Sequence, residues 1–162
     1  MNTSQPKVNF SELIKRPVCF LGLGFGSGLA PKAPGTFGTI AAIPIYLLVQ
    51  NLSLMLYIIL TVIAFIVGIR ICQQSADWLQ KEDPSAVVWD EIVGYLVTMT
   101  AAPQGWQWIV LGFVLFRIFD ILKPWPISLA DQKLHGGFGI MLDDVIAGIF
   151  ASVLLQCIYY LG

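Results

Sequence analysis

Between Lys32 and Arg70 the chain runs for 37 residues without a single charge. A stretch of that length must pair its backbone polar groups internally and hide its side chains in a core or in lipid, which in practice means helices. The polar triplet Asn51-Leu52-Ser53 divides it into two spans. The first, residues 36–50, is short and carries Pro44. The second, residues 54–71, is rich in Ile, Leu and Val and long enough to cross a hydrocarbon core of about 30 Å. A second uncharged run of 25 residues, 92–116, is broken by the turn composition Ala101-Ala102-Pro103-Gln104-Gly105 into two further spans, and a last apolar span covers 145–161. Across its 162 residues the chain is 57% apolar and only 12% charged, about half the charged share of a soluble domain. The expected fold is therefore all-α: a polytopic membrane helical bundle of about five spans. It forms one membrane-embedded domain over 1–162, with 1–17 as a polar N-terminal segment.

The alternatives are weaker. A soluble bundle would need loops to cover almost every helix on all sides. Residues 1–17 are polar, with no short apolar segment and small-residue cleavage site after them, so a signal peptide is not indicated. The formal net charge of -1 excludes a nucleic-acid partner, which requires a basic excess. Cys19, Cys72 and Cys157 are far apart and form no CxxC pair, so they read as free thiols.

All nine basic residues, Lys7, Lys15, Arg16, Lys32, Arg70, Lys81, Arg117, Lys123 and Lys133, fall before span one, between spans two and three, or between spans four and five. With five crossings these segments share one side, and by the positive-inside rule that side is cytoplasmic. The N-terminus is then cytoplasmic and the C-terminus outside. Trp106, Trp108, Tyr159 and Tyr160 suit an outer interfacial belt.

Five carboxylates gather at the cytoplasmic mouths of the spans: Asp90, Glu91, Asp120, Asp143 and Asp144. Ionisable groups beside a span are expensive and are usually paired or functional, and like charges crowded at low dielectric suppress one another's ionisation. A divalent cation relieves that, and an all-oxygen ligand set favours Mg²⁺. Acids at helix N-termini also complement the helix dipole, an explanation open to Asp90, Glu91, Asp143 and Asp144 but not to Asp120 at a C-terminal end. Arg117, Asp120 and Lys123 are spaced to share a helix face, with Pro124 and Pro126 ending the helix beyond them. Two cations there read as anion recognition beside a metal. A glycine-rich approach, Gly22 to Gly28 and then Pro31-Lys32-Ala33-Pro34-Gly35-Thr36-Phe37-Gly38, precedes a helix that Thr36 is placed to cap. Such backbones cradle anions, which adds Lys32 and Thr36 to the substrate-binding candidates, although glycines for close packing explain the segment equally well. Gly94 and Gly148 suit close helix packing, and His135 reads as a surface residue of a polar loop. Val88-Trp89-Asp90-Glu91-Ile92-Val93 resembles Met141-Leu142-Asp143-Asp144-Val145-Ile146, each with an acidic pair at a span entrance.

Taken together, Pro34-Gly35-Thr36-Phe37-Gly38, Trp89-Asp90-Glu91-Ile92-Val93-Gly94, the run from Phe116 to Pro126 and the run from Gly137 to Gly148 strongly resemble the phosphatidylglycerophosphatase A family over about residues 20–160. The resemblance implies a bacterial inner-membrane, multi-pass, Mg²⁺-dependent lipid phosphatase with its active site facing the cytoplasm. It would hydrolyse the terminal phosphomonoester of phosphatidylglycerophosphate to phosphatidylglycerol and phosphate, with membrane lipid as its surroundings. The residues agree in kind. The sequence has no DxDx[TV] motif, no Cys-x5-Arg and no second histidine, which leaves metal-activated water as the nucleophile. In this reading Asp90, Glu91, Asp120, Asp143 and Asp144 are both metal ligands and catalytic groups, and Arg117, Lys123, Lys32 and Thr36 bind substrate. The reading from a different class is a small ion transporter with an acidic cytoplasmic-side site, which would instead place charges deep in the spans or show inverted repeats with broken helices.

Overall fold

The structure is a computed structural model that describes residues 8–161. Lys7 and Gly162, which entered the topology argument, lie outside them. The described elements are all helical: α1 (Phe10–Ile14), α2 (Pro17–Gly22), a 3-10 segment (Gly24–Leu29), α3 (Pro34–Val49), α4 (Leu54–Leu79), α5 (Trp89–Thr98), α6 (Trp106–Leu122), α7 (Ile127–Lys133) and α8 (Gly136–Leu161).

Local chemistry explains most boundaries. The Ser53 hydroxyl at the N-cap of α4 accepts from the Leu56 N–H, which makes the triplet at 51–53 a cap as well as a turn. At its other end Gln80 turns left-handed and the Lys81 N–H closes onto the Ala76 carbonyl, a Schellman-like stop. Helix α6 also ends on a left-handed residue, Lys123, whose N–H bonds to the Phe119 carbonyl, and Pro124, which has no N–H to donate, follows it. Helix α3 begins on Pro34, whose fixed φ suits the first helical position, after a left-handed Ala33. Thr36 is therefore already inside the first turn and does not cap the helix.

Two expectations change. The stretch between spans four and five is not a loop, because α7 and the first two turns of α8 occupy much of it. Helix α8 starts at Gly136 and not near 145. Its Gly137 N–H, one of the donors that a helix start leaves without an internal partner, is capped from α4 by Gln73 Oε1 at 2.7 Å. Asp143 and Asp144 thus lie two turns inside a helix, beyond the reach of the N-terminal dipole, and the dipole explanation fails for them.

Helix α8 is the spine of the bundle and packs against α4, α5, α6 and α7. It approaches two helices backbone to backbone: α4, where a Cβ on Gly137 would collide with the Ile69 carbonyl oxygen, and α5, where a Cβ on Gly94 would stand 2.6 Å from the Phe116 ring and 2.9 Å from the Asp144 carbonyl oxygen and one on Gly148 would collide with the Gly94 carbonyl oxygen. One core cluster gathers Tyr46, Tyr57, Tyr95, Phe116 and Leu155, and a second gathers Leu13, Leu23, Cys72, Val93 and Met141. The tyrosine hydroxyls buried in the first are satisfied by carbonyls, Tyr57 on Leu96 at 2.6 Å and Tyr95 on Ile109 at 3.0 Å, as buried phenols require. All three cysteines are free thiols.

Two helices, α4 and α8, are long and apolar enough to cross a membrane. Helix α5 has ten residues, about 15 Å of rise, half a hydrocarbon core, and most of its side chains are buried. Its apolar character is that of an interior helix.

Candidate active site

Alternating helix directions bring the start of α3, the start of α5, the end of α6, helix α7 and the second turn of α8 to one end of the bundle, around a cavity of about 420 Å³. All five predicted carboxylates line it, with Arg117 and Lys123. They divide by partner. Asp90, Glu91 and Asp144 each offer an oxygen, and the three oxygens lie within 4.8 Å of one another. Asp120 Oδ2 instead accepts from Arg117 Nη1 at 2.5 Å, and the same nitrogen lies 4.0 Å from Glu91 Oε1. Asp143 Oδ2 accepts from Lys123 Nζ at 2.6 Å.

Packing explains the arrangement. Asp90 precedes Gly94 by four residues and Asp144 precedes Gly148 by four, so each acid stands one turn from the glycine at which its helix touches the other. Gly35 at the start of α3 leaves room for the same pair, since a Cβ there would meet Glu91 Oε1 and stand 3.1 Å from Arg117 Nη1 and displace the ends of both side chains.

Burial makes the cluster chemically demanding. Asp143 and Asp144 are 6% and 3% exposed, and Asp90 Oδ1, Glu91 Oε2, Asp143 Oδ1, Asp144 Oδ2 and Arg117 Nε are buried without a hydrogen-bond partner. Buried carboxylate oxygens without partners cost free energy unless a cation or donor meets them. A set made only of oxygens, three of them convergent, suits a hard divalent cation such as Mg²⁺. The cavity therefore offers carboxylates for a cation beside a guanidinium and an ammonium for an anion.

The phosphatidylglycerophosphatase A family profile matches residues 20–159 of this chain. The chain belongs to that family. Among its relatives, the Escherichia coli phosphatidylglycerophosphatase A is 42% identical over 150 residues, covering 92% of this chain and 86% of the relative. The Haemophilus influenzae phosphatidylglycerophosphatase A is 43% identical over 162 residues, 99% of this chain and 98% of the relative. A Bacteroides thetaiotaomicron relative, provisionally named a phosphatidylinositol-3-phosphatase, is 38% identical over 152 residues, 88% of this chain and 95% of its own length. No solved structure matches.

Within this family member the cavity holds more than the sequence indicated. Lys123 is clamped between Asp143 and Asp131, whose Oδ1 it reaches at 2.5 Å. Partial burial works against its charge, but the two carboxylate bonds outweigh that and hold the ammonium pKa above its ordinary value. Asp131 is not visible to the sequence reading because helical periodicity does not show that α7 folds back under the α6 terminus. The cue was local: left-handed Lys123 followed by two prolines reverses the chain. His135 also lines the cavity, at its rim, 3.6 Å from Glu82. Lys32 and Thr36 are not among the lining residues. Lys32 is exposed beside Ala33 and Pro34, which do line it, and Thr36 sits on the next stretch of α3.

Proposed function

We propose that this protein is a Mg²⁺-dependent phosphatidylglycerophosphate phosphatase that works at the cytoplasmic face of the bacterial inner membrane. The observation that carries the reading is the buried trio Asp90, Glu91 and Asp144 with unpartnered oxygens, set beside Arg117 in a chain of the phosphatidylglycerophosphatase A family. The names of the Escherichia coli and Haemophilus influenzae relatives supply the substrate.

Asp90, Glu91 and Asp144 would hold the Mg²⁺. Bound there, it supplies Lewis acidity toward a phosphoryl oxygen and the attacking water. The remaining work falls to the chain's own groups. Arg117 is held by Asp120 with its Nε still unpartnered, so it can donate to the phosphoryl oxygens and to the charge that grows on them in the transition state. Asp143 is oriented through Oδ2 by Lys123 and keeps Oδ1 free, which suits it to take a proton from the water. The water oxygen bonds to phosphorus, the bond from phosphorus to the glycerol oxygen breaks, and that oxygen gains the proton that Asp143 took from the water, giving phosphatidylglycerol and inorganic phosphate. Lys123 compensates the charge of Asp143 throughout.

The membrane setting follows from surface chemistry. Helix α4 has only 17% of its apolar window buried, and Met55, Ile59, Ile63 and Ile66 all lie exposed along it. Lipid is the environment that tolerates such a surface. We place α3, α4, α6 and α8 across the bilayer with α5 as a short interior fifth pass. The basic residues at the cavity end then make that end cytoplasmic. This is one membrane-embedded domain with its C-terminus outside.

Phosphate release from phosphatidylglycerophosphate in mixed micelles tests the function. The expected result is turnover that EDTA abolishes and Mg²⁺ restores. Full turnover in EDTA would remove the metal from the reading, and no turnover in Mg²⁺ would remove the substrate.

A further inference from the structure

The lipid phosphatase reading leaves part of the substrate without a partner. Between the terminal phosphomonoester and the acyl chains lies a phosphodiester with its own negative charge, and both cations in the first cavity are committed. Arg117, bonded to Asp120 near Glu91, has its free Nε assigned to the terminal phosphoryl group, and Lys123 is shared by Asp131 and Asp143.

Next to that cavity is a second one of about 570 Å³. The two share Pro34, Pro84 and Ser85, so a ligand that reaches from one to the other crosses a single lip. Leu29, Pro31 and Leu79 contribute apolar wall, and Lys81 contributes the one cation among the described residues lining it. Lys81 follows the left-handed end of α4, its side chain is exposed, and it makes no ion pair among the described residues. Of the acids near it in sequence, Asp77 accepts from Gln73 at 2.8 Å, Glu82 lies 3.6 Å from His135, and Asp83 lines the first cavity. Close backbone packing fixes the spacing of the two walls, because a Cβ on Gly28 would run into the Ala86 carbonyl oxygen and push them apart.

We infer that this second cavity is the phosphodiester subsite of the lipid, with the Lys81 ammonium as the partner of the diester phosphate and the apolar wall against the glycerol backbone. The inference rests on the lipid phosphatase reading. A three-carbon glycerol separates the two phosphates of the headgroup, so the diester anchors one side of the lip while the monoester lies among the carboxylates. Binding energy gained at the diester then orients the monoester for attack.

The test compares the wild type with Lys81→Ala and Lys81→Arg in mixed micelles containing Mg²⁺. Two substrates are used: phosphatidylglycerophosphate, and phosphatidic acid, which has a phosphomonoester and no diester. For Lys81→Ala the expected result is a rise of about fivefold in KM for phosphatidylglycerophosphate, the scale of a solvent-accessible ion pair, with kcat and the KM for phosphatidic acid unchanged. Lys81→Arg restores most of the loss. Inhibition by phosphatidylglycerol, which keeps only the diester, weakens by the same factor in Lys81→Ala, whereas inhibition by inorganic phosphate does not change. Equal shifts on both lipids, or an unchanged KM in an active Lys81→Ala variant, overturn the subsite while leaving the phosphatase standing. A wild type that releases phosphate from neither lipid overturns both.

Discussion

Helices α4 and α8 have the same length, 26 residues, and both are apolar enough to span a bilayer. Yet 17% of the apolar window of α4 is buried and 50% of that of α8. Helix α4 turns Ile58, Ile59, Val62, Ile63, Ile66 and Val67 outward and carries its charges, Arg70 and Asp77, near its end. Helix α8 is enclosed by four neighbours and places two buried aspartates in its second and third turns. Hydropathy alone makes the two helices look alike. The difference is that the apolar stretch of α4 presents most of its side chains to the surroundings, whereas α8 turns half of its own toward the protein, and its two aspartates are among the buried ones.

Turnover should separate the two helices most strongly. Asp144→Asn removes a charge from the convergent trio and is expected to lower kcat by about a hundredfold to a thousandfold, read as phosphate release, with the thermal unfolding midpoint preserved in detergent. Ile63→Leu on α4 should leave kcat unchanged, and an equal loss from both variants would erase the distinction. Insertion should reverse the order. Ile63 is 51% exposed, and if lipid is what it meets, Ile63→Arg costs about 2.5–3.5 kcal/mol at the centre of a span and reduces the membrane-integrated fraction. A water-facing α4 would instead integrate no less and become more soluble. Stability gives the smallest contrast. Gly148→Val forces methyl groups into the α5 backbone, at a cost of about 1–3 kcal/mol, measurable as a lower unfolding midpoint, while Ile63→Val stays within about 0.5 kcal/mol.

The sequence was informative where apolar runs end on chemistry that caps or breaks a helix. Ser53, Gly105 and Pro124 mark boundaries that the structure reproduces, and the five carboxylates reach one cavity because each lies beside such a boundary or within two turns of one. Pairing was less legible. Spacing put Arg117, Asp120 and Lys123 on one face, but Lys123 turns left-handed and leaves the helix, so its partners come from α7 and α8. The entrance of span five was misplaced because the uncharged run begins only after Asp144, whereas a helix can begin before its charges when neighbouring helices enclose them. Pro34 and Gly35 look like loop residues and make Thr36 look like a cap, although a proline is a good first residue of a helix. Asp131 depends on a chain reversal that no periodicity encodes.

The touching glycines of α5 and α8 act as a mechanical stop. Backbone against backbone is nearly incompressible, so the two helices have a fixed closest approach at Gly94 and Gly148, and Asp90 and Asp144 ride one turn from that point like the jaws of a caliper. The gap between the jaws is set by peptide geometry and not by how well the outer helices pack against their surroundings.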